Sequence, residues 1–225
     1  MKKDVMNGVW VVVPAFNEEF RLGSVLDKIK KITHNIIVVD DGSKDKTASV
    51  AKSKKVKVIV LNPNQGKGAA LRTGMDAAVK EGAKILVSID ADGQHRPSDI
   101  PKLVEKLQNE NLDVMFSYRP RDNKMPAYKR FGNWGLNMWM RVLFGPKPKD
   151  MLCGFMAYTS DAYKVLRWDA KRYGIETEVI ARCVKNNLKW SELEIPTIYN
   201  EKRTGIRMRD GVKLAFFMVK LRVKV

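Results

Sequence analysis

Asp90-Ala91-Asp92-Gly93-Gln94-His95 places two carboxylates one residue apart, directly after Lys84–Ile89, an apolar run of strand length. In an α/β sheet, the C-terminal end of a strand is where ligands bind. Two carboxylates crowded there repel each other unless a cation joins them. A divalent metal carrying a diphosphate meets that need, because hard cations are held by one or two carboxylates together with phosphate oxygens. Asp-x-Asp alone is common in surface turns. The strand before it and the turns that match it elsewhere give this one its weight.

Three other turns have the same character. Val13-Pro14-Ala15-Phe16-Asn17-Glu18-Glu19 follows the first apolar run. Taken by itself, Asn17 is expected to cap the helix after it. Val38-Val39-Asp40-Asp41-Gly42-Ser43 again joins two carboxylates to a glycine turn, suited to accept hydrogen bonds from a base or ribose. Ser43 also suits a helix cap before Lys44, but a cap does not explain both acids. Asn64-Gln65-Gly66-Lys67-Gly68 opens a helix. Glycines there let the backbone approach a ligand, the helix N-terminus attracts anions, and Lys67 adds charge. The stretch is neither a phosphate-binding Walker motif nor a dinucleotide fingerprint. Together the turns describe a nucleotide-diphosphate site with a metal. His95 is read as structural, and Glu176 and Glu178 as satisfying the dipole of a helix start.

The elements that must carry these turns alternate. Strands are predicted at 9–13, 35–39, 56–61, 84–89 and 112–117, and helices at 19–31, 44–53, 66–81 and 98–108. The strands are β-branched and largely unalternated, as for strands covered on both faces. Alternating strands and helices imply right-handed βαβ units and a mostly parallel sheet flanked by helices. After Tyr118 the rhythm breaks. A basic loop leads to a helix at 127–144, with Arg130, Asn133, Asn137 and Arg141 on one stripe and Phe131, Met138, Trp139 and Val142 on the other. A strand at 155–159, a helix at 175–187, a strand at 189–196 and an apolar helix at 211–223 follow.

The 225 residues carry a net charge of +17, and twelve of those charges fall in 118–150 and 201–225. Such basic surfaces suit nucleic acid, anionic lipid or phosphate-bearing substrates, or are simply solvated. No helix-turn-helix, zinc or RNA-recognition pattern supports nucleic-acid binding. A nucleotidyltransferase would need a glycine-rich signature after the first strand, which is missing. No apolar run approaches the roughly 18 to 20 residues of a membrane span, and the N-terminus has no signal-peptide core. Cys153 and Cys183 are too few for a disulfide framework and are expected to be buried thiols.

In their order and spacing, Pro14-x-Phe16-Asn17-Glu18, Asp40-Asp41-Gly42-Ser43, Asn64-x-Gly66-Lys67-Gly68 and Asp90-Ala91-Asp92-Gly93-Gln94-His95 resemble the family 2 glycosyltransferases of GT-A fold. Among these the chain most resembles the dolichol-phosphate mannosyltransferases and related polyprenyl-phosphate sugar synthases, over about residues 8–210. The resemblance implies a single α/β GT-A catalytic domain at 1–210, and the residues themselves add a C-terminal basic amphipathic helix at 211–225. It implies that Pro14, Phe16, Glu18, Asp40 and Asp41 hold the nucleoside. Asp90, Ala91, Asp92 and Lys67 would line the donor diphosphate, with Mg²⁺ or Mn²⁺ on Asp90, Asp92 and Gln94. Arg119 would grip phosphate, with Lys129 and Arg130 near a second such position. Asp150-x-x-x-Gly154-Phe155 would lie beside the acceptor. Arg203 and Arg209 would belong to a loop that closes over the donor.

The Glu-Asp and Gln-x-x-Arg-Trp pairs of processive members are absent, and Arg207 stands where the closing loop often has a small residue. The expected reaction moves mannose or glucose from GDP-mannose or UDP-glucose to dolichyl or polyprenyl phosphate, with inversion. A lipid phosphate is already an anion near pH 7 and needs orientation, which Arg119, Arg130 and Arg203 would supply. A sugar hydroxyl of a glycan, the alternative acceptor, needs a base, for which Asp150 is the candidate. The helices at 127–144 and 211–223, apolar with basic edges, suit an anionic membrane surface. For the second, a homodimer or a separate membrane-anchor subunit competes. The expected location is the cytoplasmic face of a membrane, held peripherally.

Overall fold

The computed structural model describes residues 5–120, 127–145, 148–150, 152–171, 174–196, 198 and 208–224, without the side chains of 127–133, 208–212 and 224. Its strands are β1 (Val9–Ala15), β2 (Ile36–Asp40), β3 (Lys57–Val60), β4 (Ile85–Ser88), β5 (Val114–Tyr118), β6 (Met156–Thr159) and β7 (Trp190–Glu194). They form one sheet in the order β3-β2-β1-β4-β6-β5-β7. Every pairing is parallel except the two made by β6, which runs antiparallel between β4 and β5.

Successive residues of a strand face opposite sides, and the central strands are apolar on both. Val12, Ile37, Val39 and Leu86 join one core cluster, while Val11, Val13, Ile36, Val38 and Val87 join the other. That double burial is why the strands show no polar alternation in sequence. β3 departs from the expectation of two covered faces. It is the sheet margin and is half exposed, since no strand lies beyond it.

Around the sheet lie α1 (Leu22–Lys30), α2 (Thr47–Ser53), α3 (Lys67–Lys80), α4 (Ile100–Asn109), α5 (Ala127–Phe144), α6 (Ser160–Leu166), α7 (Ile175–Lys185) and α8 (Met208–Lys224). α3 packs on β1 and β2. Gly74 makes this contact possible, because a Cβ there would stand 2.4 Å from Val12 Cγ1. α8 packs on α5 and α7. Leu214, Met218 and Leu221, at helical spacing, enter the core.

α5 has two apolar sides. Its inward residues are Leu136, Met140, Leu143 and Phe144. Met138, Trp139 and Val142 are exposed, and so is Trp134. α6 was not anticipated. It is capped by Thr159, whose Oγ1 accepts the Ala162 N–H at 3.1 Å.

Candidate active site

β1 and β2 wind one way through the sheet while β4 lies on the other side of β1, so the strand order reverses between β1 and β4. The loops leaving such a reversal diverge and open a crevice. A cavity of about 480 Å³ lies there, within the usual range for a small-molecule site. Its wall includes Pro14, Phe16 and Glu18 after β1, Asp41 after β2, Lys67 at the start of α3, and Asp90, Ala91 and Asp92 after β4. Eight residues singled out from sequence thus meet around one cavity.

The turns are tied to each other rather than to the helices after them. Asn17, at φ 54°, donates its N–H to Ser43 Oγ and accepts the Lys44 N–H on Oδ1, both at 2.9 Å. α1 begins only at Leu22 and α2 only at Thr47, so neither Asn17 nor Ser43 is the helix cap expected. Asp40 sits behind the cavity, 2 % exposed, bonded to the N–H and hydroxyl of Ser43. Asp41 takes the Gln65 N–H on Oδ1 at 2.7 Å and the Gly66 N–H on Oδ2 at 2.8 Å. Both acids fix loop shape. Phe16 is left 44 % exposed at the cavity, an aromatic face available for stacking a base.

The Gly-Lys-Gly turn differs most from its expectation. The Ala69 N–H donates to Lys171 O at 3.0 Å, and Trp168 Nε1 donates to Gly68 O at 2.9 Å. A Cβ on Gly68 would lie 2.0 Å from Ala170 O. The glycine therefore admits the 168–171 segment, while Asp41 and Lys171 already occupy N–H groups at this helix start. Lys67 is not free either. Its Nζ stands 2.9 Å from Asp90 Oδ1 and 3.3 Å from Glu176 Oε1.

Glu176 and Glu178 do more than satisfy a helix dipole. Glu178, 2 % exposed, accepts the Asp169 and Ala170 N–H groups and pairs with Arg182, which fixes the 168–171 segment against α3. Glu176 enters the site through Lys67. The spacing of both acids at the start of α7 was visible in sequence, but their partners were not.

The remaining anticipated residues gather along the same sheet edge. Because β6 is antiparallel, its start lies beside the end of β4. Ser88 Oγ donates to Gly154 O at 2.7 Å. Arg119, after β5, meets Asp150 in a bidentate pair, with Nε 2.6 Å from Oδ2 and Nη2 3.1 Å from Oδ1. Burial pushes the Asp150 carboxyl up, but the Arg119 guanidinium outweighs it and holds the group below the usual carboxylate range. Burial likewise raises Asp90, and Lys67 more than offsets it, so Asp90 stays ionised. Asp92 Oδ1 accepts the Gln94 N–H at 3.0 Å, which folds that turn back on itself.

His95 is buried with its ring centroid 5.3 Å from that of Phe155, and burial keeps it neutral. Cys153 is buried beside Ser117, its thiol pushed up to about 11 by burial, which makes it inert. Arg130 and Arg209 lie in α5 and α8, but their side chains fall outside the described residues, and so does Arg203 entirely.

The donor set on the β4 turn is all hard oxygen, with Asp90 held ionised at a cavity. That fits a divalent cation such as Mg²⁺ or Mn²⁺. Among the described residues, no three His, Cys, Asp or Glu side chains form a ready cage. Two carboxylates plus a diphosphate is the arrangement that such a site would use.

A sheet with this strand reversal, and with these loops around the cavity beside it, is the GT-A fold of nucleotide-diphospho-sugar transferases. The chain belongs to the glycosyl transferase family 2, whose model matches residues 10–171. It is 33 % identical to a UDP-N-acetylglucosamine–dolichyl-phosphate N-acetylglucosaminyltransferase of Methanococcus voltae, over 96 % of each chain. It is 28 % identical to an undecaprenyl-phosphate mannosyltransferase of Micrococcus luteus, over 90 % of this chain and 88 % of that one. The fold matches a crystal structure of glucosyl-3-phosphoglycerate synthase from Mycobacterium tuberculosis in complex with Mg²⁺ and uridine diphosphate. That match has a TM-score of 0.76 at 19 % identity and covers 100 % of this chain and 83 % of the other.

Proposed function

We propose that this glycosyltransferase moves a hexosyl or N-acetylhexosaminyl group from a nucleotide-sugar to a polyprenyl phosphate of the dolichyl type. The observation that carries this reading is the Arg119–Asp150 pair. Asp150, the candidate base that the sequence offers, is engaged by a guanidinium and held at low proton affinity. A carboxylate in that state is a poor general base. A sugar hydroxyl would need one, whereas a phosphate acceptor brings its own anionic oxygen. The two relatives named above carry polyprenyl-type phosphates in their names, which supports the same acceptor.

Phe16 and Pro14 would receive the base, and Glu18 the sugar of the nucleoside. Asp41 would act indirectly, by fixing the 64–66 loop. Asp90, Asp92 and Gln94 would hold the Mg²⁺ or Mn²⁺, which when bound neutralises the charge developing on the departing diphosphate. Arg119, aligned by Asp150, would orient the acceptor phosphate for attack from the opposite face, so the anomeric centre inverts. Arg130, Arg203 and Arg209 would add cations around the two phosphate groups.

The acceptor's lipid tail requires a membrane nearby. No helix among the described residues is long and apolar enough to cross one. Peripheral attachment through α5 and α8 answers this. Trp134, Met138 and Val142 on α5 and Phe216, Val219 and Val223 on α8 are exposed. Trp139 Nε1 donates to Ala215 O at 3.4 Å, which holds the two helices together. Exposed Arg141, Lys213, Lys220 and Arg222 supply charge for anionic headgroups.

The test is incubation with polyprenyl phosphate, Mn²⁺ and, in separate tubes, labelled UDP-N-acetylglucosamine, GDP-mannose and UDP-glucose. One of them should label a lipid product that mild acid releases. Label found only on water-soluble glycans would sink the proposal.

A further inference from the structure

Lys67, in the wall of the cavity, is held between two carboxylates. Its Nζ is 2.9 Å from Asp90 Oδ1, on the β4 turn, and 3.3 Å from Glu176 Oε1, at the start of α7. The space is closed by Gly154, where a Cβ would stand 2.7 Å from Lys67 Nζ, 3.3 Å from Asp90 Oδ2 and 3.3 Å from Glu176 Oε1. The side chains of Asp90 and Glu176 are 27 % and 13 % exposed. Glu176 thus has little water to turn to if Lys67 leaves. Nothing in the assignment of nucleoside, diphosphate and acceptor residues uses Glu176.

From this geometry we infer that Glu176 is a positioning residue, which receives Lys67 when a divalent cation takes Asp90 and so sets the affinity of the site for metal. The inference rests on the reading that Asp90 and Asp92 hold the cation. An ammonium and a divalent cation compete for the oxygens of Asp90, so metal binding must part Lys67 from that carboxylate. A lysine released next to a bound cation, with no charged partner, would be repelled by it, and with its side chain 37 % exposed water would offset only part of that. Glu176 is already in contact, so Lys67 need only shift its weight from one carboxylate to the other. Glu176 acts on the metal through Lys67 and touches neither donor nor acceptor in this account.

Removing the acid therefore penalises the metal-bound state more than the free one. In Glu176→Gln, Lys67 keeps Asp90 when metal is absent but has no charged partner when it is present. Binding of Mn²⁺ in the presence of UDP, measured by isothermal titration and by the loss of the free Mn²⁺ electron-spin signal, should weaken about tenfold, the scale of one partly exposed charge-assisted contact. Lys67→Gln removes the competitor, and Mn²⁺ should bind as tightly as in the wild type or more tightly. The decisive variant is the double one. In the Lys67→Gln background, Glu176→Gln should change Mn²⁺ affinity by less than about threefold, because its effect runs through the lysine. An equal weakening in both backgrounds would mean that Glu176 acts by its field or by folding, and would overturn the inference. So would an unchanged affinity in Glu176→Gln alone. Asp92→Ala separates the two levels. If it leaves Mn²⁺ binding intact, the metal reading itself fails. If it abolishes binding while Glu176→Gln has no effect, only the inference fails. Thermal melting of each variant checks that the fold survives.

Discussion

Asp150→Asn separates a residue that holds an arginine from one that removes a proton. In the native chain Asp150 accepts two bonds from the Arg119 guanidinium, at 2.6 and 3.1 Å, and one from the Leu152 N–H at 3.1 Å. The two side chains are 26 % and 17 % exposed, so the pair is neither freely solvated nor fully desolvated. Asparagine keeps one acceptor but turns an NH₂ toward the guanidinium. A lost bidentate, partly buried contact of this kind costs about 2–3 kcal/mol. If that is spent on orienting the acceptor, kcat/KM falls roughly 30- to 150-fold. Loss of a general base gives about 10²- to 10⁴-fold, so size alone does not decide. The pH profile does.

Asp150 is depressed in the folded protein, so the pair is fully present above the ordinary carboxylate pKa of about 3.9. It is lost only as pH falls through the lower, folded value. Between pH 5.5 and 8.5 Asp150 contributes no titration. The rate should instead rise through the second ionisation of the acceptor phosphate, near pH 6 for a phosphate monoester. That rise should persist in Asp150→Asn. The assay is initial-rate transfer of labelled sugar to polyprenyl phosphate across this range, repeated with formate. A variant that loses the pH-dependent limb, or is rescued by formate, would show that Asp150 is the base and refute the reasoning.

Gly68→Ala should lower the melting temperature by roughly 6–12 °C, because its Cβ would fall 2.0 Å from Ala170 O, a backbone atom that cannot yield cheaply. Gly135→Ala, in α5 with nothing within 4 Å of the new Cβ, should hold or raise it. Asp41→Asn leaves either the part-buried Gln65 N–H or the buried Gly66 N–H facing a donor, so stability should fall by about 1–3 kcal/mol in urea titration. Nucleotide binding should weaken with it, through the 64–66 loop. Phe216→Glu combined with Val223→Glu should abolish co-flotation with vesicles containing anionic lipid, leaving activity on a short, soluble polyprenyl phosphate within about twofold. These side chains are 70 % and 86 % exposed, so unchanged flotation would remove α8 from the membrane contact.

The nucleotide half was legible because its signals are local. Strands apolar on both faces end in turns rich in Pro, Asp and Gly, and a parallel sheet puts all those ends on one edge. Asp90, Asp92, Phe16 and Glu18 could therefore be placed together without coordinates. What escaped was set by distant pairing. β6 enters the sheet antiparallel between β4 and β5, and no short-range pattern announces a strand's neighbours. Lys67 and Glu176 are 109 residues apart in sequence, so the lysine looked like an anion binder. Gly68 looked like a ligand-approach glycine because its true neighbour, Ala170, lies a hundred residues on. Which residues of α5 turn inward was not legible for a different reason. α5 has apolar residues on more than one side, and periodicity cannot say which side meets protein.

The direction of β6 also sets how this enzyme could change partners. Phe116 of β5 stands opposite Met156 of β6, so the chain leaves and re-enters the sheet at one edge. Between Tyr118 and Met156 the described residues include α5, and Arg119 and Asp150, one near each end of that stretch, are paired. The lining of the cavity named above comes from residues before this stretch. If Arg119 and Asp150 orient the acceptor as proposed, replacing 119–155 with the corresponding segment of a relative should alter acceptor use more than nucleotide binding. On the proposed roles of Arg119 and Asp150, one reversed strand would place the acceptor contacts and the cavity on separate stretches of chain.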